Sequence, residues 1–72
     1  MSSKQPVINA KELIKILERN GFLFSRQSGS HAIYYNKEGT RATIPIHGKK
    51  DIGKGLLKQI LKDAGLSIED LQ

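Results

Sequence analysis

Two side chains in this sequence can exchange protons near neutrality, His31 and His47, because free imidazole titrates at about 6.5. His31 follows Ser28-Gly29-Ser30 and opens a run of strand-forming residues, whereas His47 closes another such run and precedes Gly48. A glycine loop at a strand end leaves a side chain accessible while the sheet holds its backbone. Two imidazoles can divide the work of RNA self-cleavage, one accepting the 2′-hydroxyl proton and the other protonating the departing 5′-oxygen. The plainer alternative for each is a polar residue that merely ends a strand.

A second pattern is basic. Lys49, Lys50, Lys54, Lys58 and Lys62 fall within fourteen residues, with only Asp51 against them. Such a row suits RNA phosphates, each contact releasing counterions; it equally describes a solvated helix face or a dock for an acidic protein. Gly48-Lys49-Lys50-Asp51-Ile52-Gly53-Lys54 matches the start of a phosphate-binding P-loop, but Gly55 stands where the magnesium-binding Ser or Thr belongs. The chain is also too short for the parallel sheet that a P-loop joins. What is left is a glycine-loosened basic loop before a helix, which suits an RNA phosphate. Tyr34 and Tyr35 are either base-stacking residues or ordinary strand aromatics. Glu12 is explained by a helix cap, and Glu18, Glu38, Glu69 and Asp70 are not paired with a histidine in sequence. Without cysteine there is no thiolate nucleophile, zinc cluster or disulfide. No cluster has metal-ligand spacing either, so neither a metal nor a small-molecule cofactor is expected.

The elements that must hold these groups can be read from caps and periodicity. Asn9 and Glu12 make a capping box, with Ile8 and Leu13 in the positions of a hydrophobic staple. Leu13, Ile14 and Leu17 share one face of a helix over residues 10–20, which Asn20-Gly21 ends. Strands are predicted over 22–27, 31–36 and 41–47, with turns at 28–30 and 37–40. In the third strand Ala42, Ile44 and Ile46 face one way, and Arg41, Thr43, Pro45 and His47 the other. Pro45 has no amide hydrogen, so this strand is an edge or bulges there. A second helix begins near 52–54 and ends at Gly65, with Lys50, Lys54, Lys58 and Lys62 on one slowly drifting side. The predicted core is Leu13, Ile14, Leu17, Ile44, Ile46, Leu56, Leu57, Ile60 and Leu61, with Ile68 and Leu71 tucking the tail back. Residues 1–8 read as a polar, flexible lead-in.

Seventy-two residues hold one domain, spanning 1–72, and exclude a barrel, a self-contained nucleotide-binding domain or an enzyme with a deep cavity. Twelve Lys and Arg against seven Asp and Glu leave a net +5. That excess favours nucleic acid as partner, then an acidic protein, then a membrane surface. No run approaches the roughly 18 apolar residues of a membrane span. Nor does an apolar stretch follow the first residues as in a secretion signal. The expectation is a cytoplasmic protein that does not engage a membrane.

Four segments, in this order, resemble the HicA (YcfA-like) family of toxin endoribonucleases: Gly21-Phe22, Arg26-Gln27-Ser28-Gly29-Ser30-His31, Thr43-Ile44-Pro45-Ile46-His47-Gly48 and Leu57-Lys58-Gln59-Ile60-Leu61-Lys62-Asp63-Ala64-Gly65. The likeness runs from the first helix to Ala64-Gly65-Leu66-Ser67, and Gly-Ser-His followed by Pro-x-His-Gly between two helices is specific as a pair. It implies an α+β fold of order α-β-β-β-α, like a double-stranded-RNA-binding domain, with a three-stranded antiparallel sheet and both helices on one face. It also implies ribosome-independent cleavage of mRNA, a catalytic His31, and a HicB-type antitoxin that covers the active site. Family members often carry a second histidine directly after the first; here that position is Ala32, which leaves His31 alone in its motif. A role for His47 as general acid is therefore an inference from this chain.

The expected function is that of the toxin of a toxin–antitoxin pair, a metal-independent endoribonuclease that cuts mRNA and arrests translation and growth. His31 is its expected general base, with Ser28, Gly29, Ser30, Lys49, Lys50, Lys54, Lys58 and Lys62 holding RNA. The alternatives are a non-catalytic RNA-binding module of the same fold and a basic protein-interaction domain.

Overall fold

The computed structural model describes residues 7–46 and 50–71. The chain forms α1 (Ala10–Arg19), β1 (Leu23–Ser28), β2 (His31–Tyr35), β3 (Arg41–Pro45), α2 (Lys54–Ala64) and a closing 3-10 turn over Ile68–Leu71. This is the α-β-β-β-α order expected from caps and periodicity.

Helix α1 starts on the anticipated capping box. Asn9 Oδ1 accepts from the Glu12 amide at 2.9 Å, and Glu12 Oε1 accepts from the Asn9 amide at 3.0 Å. Its other end is a Schellman motif: the Gly21 amide donates to Glu18 O at 3.1 Å and the Phe22 amide to Leu17 O at 3.0 Å. Gly21 takes φ +88°, which the motif needs. The reversal drives Phe22 into the core at 1% exposure. Phe22 thus closes the helix cap instead of opening the first strand.

The three strands lie in the order β1-β2-β3, all antiparallel, so Pro45 does sit on an edge strand. Ala32, Tyr34, Ala42 and Ile44 face the helices and pack with Leu13, Leu17, Phe22, Leu57 and Ile60 in one cluster. Both helices therefore cover the same side of the sheet, and no described helix covers the other. Burial, with the Glu18 carboxylate adding to it, raises the Tyr34 hydroxyl above its ordinary pKa of 10.0.

The expected core needs three corrections. Leu56 is 47% exposed, because the buried stripe of α2 is Leu57, Ile60, Leu61 and Ala64, and Leu56 lies a quarter turn off it. Ile14 and Ile46 are only partly buried against the cluster, whereas Ile68 and Leu71 pack the tail against it as expected. Ile8, the last residue of the supposed lead-in, is buried; its carbonyl accepts from the Ile52 amide at 2.9 Å beside an Asn9–Asp51 bridge. The chain after β3 thus returns alongside the start of α1.

Candidate nucleic-acid interface and active site

A β-bulge decides which side chains share a face with His31. Phe24 pairs with Tyr34 and Arg26 with Ile33, so Ser25 is an extra residue in β1. Since side chains alternate along a strand, one extra residue exchanges the two faces for everything after it. Phe24 before the bulge lies on the helix side, where its ring meets Tyr34 edge-on at 5.6 Å. Arg26 and Ser28 after it lie on the helix-free side, which they would otherwise have left. Three rungs cross that side: Ser28–His31–Pro45, Arg26–Ile33–Thr43 and Leu23–Tyr35–Arg41.

The turn before His31 is built from Gly29 and Ser30. Gly29 has φ +59° and no non-glycine residue among those described has a positive φ, so only the first central position is left-handed, the type II′ pattern that suits the twist of a hairpin. Gln27 Nε2 donates to Gly29 O at 3.1 Å, and the Ile46 amide donates to Ser30 O at 2.7 Å, tying the turn to both neighbouring strands. Among the described residues the Gly29 and Ser30 amides donate to no backbone carbonyl. His31 is the first residue after the turn, exposed, with Ser28 directly opposite.

This corner offers an accessible imidazole, two hydroxyls and two amide hydrogens. The imidazole can take or give a proton; the hydroxyls and amides can hold an anion such as a phosphate. No strand carries a carboxylate, so the sheet supplies no acidic partner to orient His31. Among the described residues no group of three His, Cys, Asp or Glu side chains converges to hold a metal ion.

The structure brings together Ser28, Gly29, Ser30 and His31 and sets the lysines of α2, Lys54, Lys58 and Lys62, apart from them. Lys54, Lys58 and Lys62 are exposed on α2, which packs on the far side of the sheet, and Lys50 is exposed in the segment leading to it. Lys58 and Lys62 flank a shallow groove of about 360 Å³ floored by Leu61, Leu66 and Ile68. His47, Gly48 and Lys49 lie outside the described residues. Tyr34 is an ordinary strand aromatic in the core, and Tyr35 is half-buried on the helix-free face. Arg26 and Arg41 join that face without having been singled out. The alternation of β3 already placed Arg41 opposite Ala42 and Ile44; no local signal announced the bulge that recruits Arg26.

Fold and corner together define a small basic α+β domain that presents the exposed His31 imidazole beside a turn whose Gly29 and Ser30 amides have no backbone acceptor among the described residues. A family model described as the HicA toxin of bacterial toxin–antitoxin systems matches residues 10–66, and the chain belongs to this family. It is thereby the toxin half of a toxin–antitoxin pairing, with an antitoxin as partner. No curated protein gives a match.

Proposed function

We propose that this toxin is an endoribonuclease that cuts mRNA by metal-independent transesterification at His31, and that a HicB-type antitoxin silences it by covering that corner. The observation that carries the reading is the placement of an exposed His31 beside Ser28 and the unengaged amides of the Gly29-Ser30 turn. Neutral imidazole takes the proton of the RNA 2′-hydroxyl. The 2′-oxygen then bonds to the adjacent phosphorus as the bond from phosphorus to the 5′-oxygen breaks, leaving a 2′,3′-cyclic phosphate and a 5′-hydroxyl. Negative charge grows on the non-bridging oxygens, where the turn amides and the Ser28 and Ser30 hydroxyls can donate. The departing 5′-oxygen needs a proton, for which the chain's second imidazole, His47, is the candidate. Lys49 and Lys50, next in sequence, are the candidates to offset the developing charge. Cutting mRNA places this toxin in the cytoplasm and accounts for arrest of translation and growth.

The test is incubation of the full chain with end-labelled RNA in excess EDTA, followed by analysis of the fragment ends. Cyclic phosphate and 5′-hydroxyl ends are expected, with no cut where the scissile nucleotide is 2′-deoxy. Cleavage at the deoxy position, or its abolition by EDTA, would overturn the mechanism.

A further inference from the structure

We infer that the helix-free sheet face is a stacking platform for single-stranded RNA, with Tyr35, Arg26 and Arg41 leading the strand to His31. The inference rests on the ribonuclease reading for the identity of the strand's destination, and adds how substrate is held and in which form. The three rungs place His31 at one end of the face, Arg26 in the middle, and Tyr35 with Arg41 at the other end. Two residues along a strand advance about 6.6 Å, so the face spans about 13 Å from His31 to Tyr35. Sheet platforms that use aromatics in this way take two or three bases.

The chemistry of the face is one-sided. It carries Arg26, Arg41 and His31 and no carboxylate; all seven acidic residues lie in helices, loops or the tail. Tyr35 is half-buried, so its ring is held without being consumed by the core. Leu23, beside it in register, is 74% exposed, an apolar side chain that the fold leaves without cover. Guanidinium planes, a tyrosine ring and an exposed leucine together suit bases, since every base has a π-face and arginine stacks as well as pairing with phosphate. A base inside a duplex shows no free face to such a surface. The platform therefore selects unpaired RNA.

The experiment measures binding apart from cleavage. Full-length His31→Ala protein is titrated against a fluorescent eight-nucleotide oligouridylate and against a twelve-pair RNA duplex, by anisotropy at several salt concentrations. Tighter binding of the single strand is expected. Adding Tyr35→Leu should weaken it at least about fivefold, the low end for loss of one stacked base. Adding Arg26→Gln with Arg41→Gln, both exposed, should reduce the log–log salt slope by about 0.7 per arginine. If Tyr35→Leu fails to fold, the arginine pair decides. Unchanged affinity and slope, or a preference for duplex, would overturn the platform and leave this face to a protein partner. The two readings fail separately: wild-type protein that cuts RNA while these variants bind normally retains the nuclease and loses the platform, and variants that lose binding in a protein that never cuts do the reverse.

Discussion

Two surfaces of this domain are basic, and they differ in what fixes their charges. On the helix-free face, Arg26, Arg41 and His31 stand on paired strands at positions set by register and, for Arg26, by one bulge. On the flank of α2, Lys54, Lys58 and Lys62 project from exposed turns of a helix. Guanidinium groups on a sheet are planar and pre-positioned; ammonium groups on four-carbon stems are mobile point charges. The first arrangement can orient a substrate relative to an imidazole, whereas the second can only raise its local concentration. Charge density alone would have chosen the lysines, but orientation is what a proton transfer needs.

The largest test of that contrast is a pair of variants read by the same cleavage assay. His31→Ala should lower cleavage about 10²- to 10⁴-fold, the usual value of one general acid–base group, while RNA binding survives. Lys58→Gln with Lys62→Gln should leave the single-turnover rate at saturating protein unchanged. A lysine pair that cuts the saturated rate as deeply as His31→Ala would erase the distinction.

Stability gives the next largest effect and locates α2 itself. Leu57 is fully buried and Leu56 is 47% exposed, although the two are neighbours. Leu57→Ala should cost about 2–5 kcal/mol, a large share of what so small a domain has. Leu56→Ala should fall within about 0.5 kcal/mol of wild type, as surface changes do. Comparable urea midpoints for the two variants would mean that α2 presents a different face to the sheet, and the lysine flank would turn with it.

Gly29→Ala probes the corner without touching a reactive group. A Cβ at Gly29 meets nothing within 4 Å, so the cost is backbone strain alone, about 1–3 kcal/mol for a non-glycine residue held in a sparsely populated region. The same strain should shift Ser28 and the turn amides against His31 and slow cleavage further than the stability loss explains. Wild-type cleavage in a protein destabilised by this amount would remove the turn from the anion site.

How much of this could be read from residues alone divides along physical lines. Helix ends were legible because caps are local: Asn9 with Glu12, and Gly21 after Asn20, act within one turn of chain. The faces of β3 were legible because Ala42 and Ile44 alternate with Arg41 and Thr43. The turn before His31 followed from Gly29. The burial of Phe22 escaped because it depends on the three-dimensional course of a Schellman motif, though Gly21-Phe22 after a helix is its local trace. Leu56 and Leu57 could not be told apart until the sheet chose a side of α2. The bulge at Ser25 depends on how β1 pairs with β2 across their hairpin, which no residue type marks, so Arg26 joined the helix-free face unannounced. The lysines were the most conspicuous pattern in the chain, yet the layer order places those of α2, Lys54, Lys58 and Lys62, across the sheet from His31.

The smallest effect concerns those lysines, and it asks whether they touch RNA at all. If the α2 flank gathers substrate by charge, each phosphate contact contributes about 0.7 to the log–log salt slope on a single strand. Lys58→Gln with Lys62→Gln should then shallow the slope by about 1.4 and weaken binding equally for unrelated sequences. The arginine pair of the sheet face offers the comparison within the same assay, because it should alter slope and also shift preference among unpaired sequences through stacking. A lysine variant whose slope equals that of wild type would assign the flank to solvent or to the protein partner. In that outcome the apolar floor formed by Leu61, Leu66 and Ile68 would gain weight as a protein contact. A lysine variant that loses affinity for one RNA sequence more than another would instead show ammonium groups reading bases, which point charges on mobile stems are poorly built to do.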